Sequence, residues 1–227
     1  AQEHEDQSFC GITVGIVSDI KDPEKKNRVK VRLLNRTDSL QETDYIRVMT
    51  PMAGKDYGAF FLPEVGDEVL VGFVDGDFTA PYVLGSLYNA KAPGPGKVEE
   101  GKNQLRTIKS KTGHLMEWND GEEAPGLTLK TAGESALSMN DKEKTIALTD
   151  KDGANLLKID IGGGTVTLEA KTKLVLKCGG ASIELDGSGN QITIKSNESG
   201  APTVNATGGV SDVDRDTGET IPGGAGI

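Results

Sequence analysis

Aromatic side chains are scarce in this chain, 4% of its 227 residues, and the 109 residues after Trp118 contain none. A uniform core built around large rings is excluded, and the sharp change in composition argues for two joined architectures. Cysteine is nearly missing too. Cys10 and Cys178 lie 168 residues apart with no CxxC or Cys/His spacing, a pattern that points to neither a disulfide framework nor a zinc site. No window approaches the roughly 18 uninterrupted apolar residues of a membrane-crossing helix. The first residues, Ala1-Gln-Glu-His-Glu-Asp6, are polar and acidic, unlike a signal peptide. The first residue is Ala rather than Met, so the chain reads as processed or as a segment of a longer polypeptide. Positive charge is in deficit: 25 Lys and Arg face 35 Asp and Glu, net −10. A broad attraction to phosphate backbones or anionic lipid is not expected, and nucleic acid is not expected as a partner.

Glycine, in contrast, is abundant at 30 residues, while apolar residues make up 35%. That balance predicts a β-rich, turn-rich chain. At roughly 150 residues per domain the length allows one or two domains. Lys91-Ala-Pro-Gly-Pro-Gly-Lys97 can be neither helix nor central strand, so the boundary is placed there. The predicted organisation is an N-terminal segment over 1–11, a barrel over 12–90, a linker over 91–104, a repeat domain over 105–196 and a tip or tail over 197–227.

Ahead of that boundary, five runs have strand character: Ile12 to Val17, Arg28 to Leu33, Tyr45 to Thr50, Glu68 to Phe73 and Tyr82 to Leu87. Val29, Val31 and Leu33 alternate with Arg28, Lys30 and Arg32, the period of a half-buried strand. Turn chemistry at Asp22-Pro23, Gly66-Asp67 and Asp75-Gly76 separates the runs. The count fits an oligosaccharide/oligonucleotide-binding (OB) type five-stranded barrel.

Beyond the boundary a single alternating apolar pair recurs: Leu127/Leu129, Leu137/Met139, Ile146/Leu148, Leu157/Ile159, Val166/Leu168, Leu174/Leu176, Ile183/Leu185 and Ile192/Ile194, with Met116/Trp118 as the expected start. First members are 10, 9, 11, 9, 8, 9 and 9 residues apart. This predicts short strands joined by turns. Two inward side chains per strand cannot make a thick core, so the face needs a cover. Three copies around a common axis, each supplying one wall of a triangular β-prism, provide it, and a narrow axis accommodates Leu, Ile and Val better than rings. The alternative is a single-chain β-solenoid, which normally wants around 20 or more residues per coil. About ten strands at a 4.8 Å step give a prism about 50 Å long.

These residues resemble the central spike of contractile injection machines, the phage baseplate spike proteins and the valine-glycine repeat protein G (VgrG) family of type VI secretion and related extracellular injection systems. The resemblance rests on Gly15-Ile-Val17, Asp22-Pro23-Glu24, Arg28-Val-Lys-Val-Arg32, Ile46-Arg-Val48, Pro63-Glu-Val-Gly-Asp-Glu-Val-Leu-Val-Gly-Phe73, Gly76-Asp77 with Pro81, and Leu84-Gly-Ser-Leu-Tyr-Asn89. It continues through Gly113-His114 and the repeat, from about residue 12 to 196. It implies an OB barrel followed by an intertwined three-chain triangular β-helix. It also implies a non-enzymatic role in puncturing an envelope and delivering cargo. The implied partners are two further copies, hub and inner-tube proteins at the barrel end, a Pro-Ala-Ala-Arg repeat (PAAR) type tip protein or effector, and the target membrane on firing. The implied location is the baseplate of an injection particle, assembled in the cytoplasm and ejected. The chain departs from the pattern in three ways: about ten residues precede Ile12 where relatives carry a hub domain, Lys91 to Gly113 is too short for an inserted lysozyme, and no His-x-His pair is present to hold a tip metal.

Several residues could suggest other chemistry. Glu64, Asp67 and Glu68 could serve acid/base work in a cell-wall hydrolase, but as a turn they read as solvated charges. His114 has no second His, Cys or nucleophilic Ser motif beside it and reads as a junction residue; His4 is the only other histidine. Gly162-Gly-Gly164 and Asp186-Gly-Ser-Gly189 lack the context of a phosphate loop and read as corners. Arg28, Lys30 and Arg32 form a stripe that could hold nucleic acid or glycan on an OB surface, although residues 1–96 carry ten basic and fifteen acidic residues. Docking to another protein or plain solvation is the preferred reading. No catalytic residue, cofactor or metal ligand is assigned.

Overall fold

The computed structural model describes residues 11–37 and 41–195, together with the backbone of two short strands, Asp212–Val213 and Thr220–Ile221. Cys10, His4, nearly all of the 1–11 segment and most of the 197–227 tail lie outside the described residues. The chain divides into two compact units between Lys97 and Val98. The described residues contain strands, turns and one short 3-10 turn at Val74–Gly76, and no α-helix.

The first unit contains β1 (Ile12–Asp19), β2 (Lys30–Leu33), β3 (Arg47–Val48), β4 (Ala53–Gly54), β5 (Tyr57–Gly58), β6 (Glu68–Phe73) and β7 (Pro81–Leu87). The main sheet runs β2-β1-β6-β7-β3, antiparallel throughout except for the parallel β3/β7 pair. Its two ends meet. Val29 and Ile46 exchange backbone hydrogen bonds of 3.0 and 2.8 Å, bridging the start of β2 to β3 and closing the ring. Closure leaves no free edge between those two strands.

Alternation along each strand explains the core. Val17, Val29, Val31, Leu33, Ile46, Val69, Val71 and Val83 are all buried, and Ile20, Val48, Leu62 and Phe73 pack against them. β-Branched side chains fit a pleated, closely curved wall, and burying each contributes roughly 1.5–3 kcal/mol. Gly15 lets β1 cross β2 closely, because a Cβ there would lie 2.3 Å from Val31 Cγ1. The expected runs at Arg28 and Tyr45 are shorter as strands. Arg28 is held in the preceding loop by Asp22, so the β1/β2 ladder starts at Lys30. The β4/β5 hairpin, closed by Lys55-Asp56 with Asp56 at φ 63°, adds a pair absent from the five-run reading.

The second unit contains β8 (Leu105–Lys109), β9 (Leu115–Asn119), β10 (Gly126–Lys130), β11 (Ala136–Asn140), β12 (Thr145–Thr149), β13 (Leu156–Asp160), β14 (Thr165–Glu169), β15 (Lys173–Cys178), β16 (Ala181–Asp186) and β17 (Gln191–Lys195), with β18 (Asp212–Val213) pairing β19 (Thr220–Ile221). β8 to β14 form one antiparallel meander and β15 to β17 a second. Every expected apolar pair falls within one of these strands. The series starts one strand earlier than Met116/Trp118: β8 pairs with β9, placing Arg106 opposite Trp118 and Ile108 opposite Met116. Arg106 occupies an apolar position of the period, which hid that strand in the sequence.

Candidate functional site

The registers of the second unit line the apolar pairs up into two rows across the meander. One runs Trp118, Leu127, Met139, Ile146, Ile159, Val166; the other runs Ile108, Met116, Leu129, Leu137, Leu148, Leu157, Leu168. In the smaller sheet, Leu174, Leu185 and Ile192 form one row, and Leu176, Ile183 and Ile194 the other. The alternate positions carry Thr128, Ser138, Ala147, Lys158 and Thr167 in register, so one face is aliphatic and the other largely polar. Among the described residues no large apolar side chain of this unit is buried; all eight buried hydrophobic residues lie in the barrel. Val166 is 70% and Ile192 72% exposed. A contiguous apolar face of this length on a single chain marks an interaction surface.

The opposite face of the smaller sheet is braced by charge. Lys173 Nζ bonds Glu184 and lies 3.2 Å from Asp186, and Lys195 Nζ lies 3.4 Å from Glu184. Lys173 is the main cause holding both carboxyls below their ordinary range, and Glu184 in turn raises the Lys173 ammonium. Such cross-strand pairs set register without requiring burial.

In the barrel, the Asp22–Arg28 loop is the strongest polar constellation. Arg28 Nε and Nη2 donate to the two Asp22 carboxylate oxygens at 2.9 and 2.8 Å, and Nη2 also reaches Glu24 at 2.7 Å. The Asp22 carboxylate additionally accepts the N–H groups of Glu24, Lys26 and Arg28. The Arg28 guanidinium chiefly, with these backbone donors, holds the Asp22 carboxyl well below the usual carboxylate range. Beside this loop is a groove of about 750 Å³ lined by Arg28, Arg36, Tyr45, Arg47, Phe78 and Tyr82, among others. Cations stack on its rings: Lys30 over Tyr45 at 5.3 Å, Arg36 over Phe78 at 5.0 Å and Arg47 over Tyr82 at 4.5 Å. Sequence reasoning singled out Arg28 and Lys30 but missed Arg36, Arg47 and the rings they meet, since these come from separate runs and no local spacing links them.

The residues singled out from sequence do not converge. The Glu64 N–H donates to Asp67 Oδ2 at 2.9 Å, while Glu68 Oε2 accepts from Asn89 Nδ2 at 2.6 Å, tying β6 to the chain after β7. The principal grooves of the barrel are lined by other residues. His114 Nδ1 accepts the Ala132 N–H at 3.3 Å, and its own backbone N–H donates to Ser110 Oγ at 3.0 Å, joining two neighbouring turns. The Gly162–Gly164 and Asp186–Gly189 segments are hairpin turns, with Asp160 and Asp186 accepting loop N–H groups. Arg28 and Lys30 engage acids, Lys30 lying 3.9 Å from Glu42, so the stripe is partly neutralised. Among the described residues no group of three or more His, Cys, Asp or Glu side chains could hold a metal ion.

A closed OB-type barrel followed by a strand meander with a bare aliphatic face defines a class, and comparison with known proteins agrees on the barrel. Residues 13–88 match the type VI secretion system/phage-baseplate injector OB domain. Over this region the chain is similar to VgrG spike proteins. It is 34% identical over 98 residues to the type VI secretion system spike protein VgrG1a of Pseudomonas aeruginosa, covering 41% of this chain and 15% of that protein. It is 42% identical over 64 residues to VgrG4b of the same species, covering 28% of this chain and 8% of that protein. With the spike protein VgrG3 of Vibrio cholerae it shares 28% identity over 117 residues, 51% of this chain and 11% of that protein. The chain thus spans less than a sixth of the length of these relatives.

Proposed function

We propose that the chain is a structural spike of a contractile injection apparatus of the type VI or phage-baseplate kind, acting as a homotrimer and without catalysis. The observation that carries this reading is the paired aliphatic rows of the two sheets, β8–β14 and β15–β17, left bare by the described residues, in a chain that also carries an injector OB domain. Three such faces turned inward bury the rows against one another, leaving Thr, Lys, Glu and Asp outward. Each wall is then a hydrogen-bonded ladder, stiff along the prism axis. The barrel end seats on hub and inner-tube proteins, and the far end receives a tip protein or effector and meets the target membrane on firing. The work is mechanical: puncturing an envelope and carrying cargo through it, from a location in the secretion apparatus or baseplate.

The test has two arms. An unboiled sample in dodecyl sulfate should run as a species of three chains that collapses to one on boiling. The same preparation incubated with peptidoglycan should release no reducing sugar or peptide. Turnover that disappears in Glu68→Gln sinks the non-enzymatic reading.

The ring-stacked cations of the barrel groove favour a second reading, a nucleic-acid or glycan binder. Against it, Arg28 is already committed to Asp22 and Glu24, and Lys30 lies near Glu42. Fluorescence anisotropy with labelled single strands at about 0.15 M salt, where nonspecific phosphate attraction is already screened, should show no binding above background.

A further inference from the structure

Across the barrel sheet the registers set four residues side by side: Ile12 faces Gly72, Gly72 faces Tyr82, and Tyr82 faces Arg47. The row crosses β1, β6, β7 and β3 in order. The parallel row one position over, Thr13, Val71 and Val83, is buried, so this one points outward. Arg47 ends the row. It donates to the Tyr82 hydroxyl, stacks over the ring at 4.5 Å and has no carboxylate partner among the described residues. Of the other cations lining the same groove, Arg28 is held by Asp22 and Lys26 by Glu24. Glu42 and Asp44 line it too, but neither pairs with Arg47.

A second, apolar groove of about 430 Å³ is lined by Gly11, Ile12, Met49, Val74 and Leu84, among others. Phe73 and Tyr82 line both grooves, so Gly11, where the continuously described chain starts, shares a wall with the cationic one. The ten residues before it carry Glu3, Glu5, Asp6 and Phe9, and no Lys or Arg. Three strand spacings of about 4.8 Å separate Ile12 from Arg47 by about 14 Å, while the six steps from Asp6 to Ile12 span up to about 20 Å. The order also matches: the ring comes next to the apolar groove and the acids come farther on, toward Arg47.

We propose that residues 1–10 of this chain, which lie outside the described residues, dock along this row. Phe9 enters the apolar groove, and the carboxylates of Glu3, Glu5 and Asp6 pair with Arg47. Exposed ion pairs usually gain little, because fixing two long side chains costs entropy. Here Tyr82 already holds the guanidinium, and its planar fork suits a carboxylate. The contact is made within one chain and does not depend on the three-copy reading. It gives the ring-stacked cations an acidic protein occupant in place of a phosphate backbone or a glycan.

Phenylglyoxal, which attacks accessible guanidinium groups, tests this on the full chain, with each arginine followed by peptide mass. Arg47 should react several-fold more slowly in the parent than in a Glu3→Gln, Glu5→Gln, Asp6→Asn variant. Arg32, exposed on β2, should react alike in both. Salt at about 1 M, where the screening length is about 3 Å, should remove most of the parent's protection. Equal Arg47 rates in the two proteins, or a rise that Arg32 shares, overturn the proposal. Whose segment fills the groove is read with Arg47→Lys and a carbodiimide, which joins an amine to a carboxylate in contact with it. A link from position 47 to Glu3, Glu5 or Asp6 in a band of one chain supports the proposal. The same link only in bands of two or three chains assigns the groove to a neighbouring copy and overturns it.

Discussion

Leu148 and Leu157 lie directly opposite each other across β12 and β13, yet they are 52% and 38% exposed. Their pairing is satisfied within one chain while their burial is not. A charge at this place reads the difference. Leu148→Asp leaves the backbone ladder intact but puts three carboxylates on the axis of the proposed trimer. Losing the burial alone costs roughly 1.5–3 kcal/mol per copy. The expected result is loss of the trimer, read by light scattering, with the barrel still folded.

The polar face makes the opposite prediction. Glu184 holds Lys173 and Lys195 on the outward side, where solvent and salt screen the attraction. Glu184→Gln should leave the assembly trimeric. Any loss of thermal stability should shrink as sodium chloride is raised from about 0.05 to about 0.5 M, a range over which the screening length falls several-fold.

In the barrel, Gly15→Val places a branched side chain where even a Cβ meets Val31 Cγ1 at 2.3 Å and the Arg32 carbonyl oxygen at 3.0 Å. Overpacking of this kind costs about 1–3 kcal/mol. The barrel's unfolding midpoint should drop, while a fragment restricted to residues 98–227 should assemble as before.

Asp22 gives a pH prediction. Its folded-state value is lowered, so the stability it contributes is fully present above its unfolded value of about 4 and is lost as pH falls through the folded value. The window therefore extends downward from about pH 4. Asp22→Asn should be less stable than the parent at pH 7, and the gap should close on acidification. Urea unfolding at about pH 7, 4 and 2.5 measures it, and a gap that widens toward acid contradicts the Arg28 clamp.

Much of this architecture was legible because period-2 alternation reports directly which face of a strand is apolar. Glu68 to Phe73 is a strand with the bounds its pattern implies, and every aliphatic pair from Met116/Trp118 to Ile192/Ile194 marks a strand. β8 escaped because Arg106 stands in a row position, and β3 contracted because a parallel pairing with β7 spans only Arg47 and Val48. Of the cation-lined groove only Arg28 and Lys30 were legible, as a basic stripe. Arg47 and Tyr82 meet only after the barrel closes, so local spacing holds no trace of the pair. Likewise, the stop in pairing after β14 leaves the apolar period intact, so the repeat reads as unbroken there.

The native mass of the purified chain tests the central claim most directly. Light scattering at micromolar concentration should give three times 23.9 kDa, with the amides of β8 to β17 slow to exchange. A stable particle of one chain whose row leucines and isoleucines are already shielded from solvent contradicts the account.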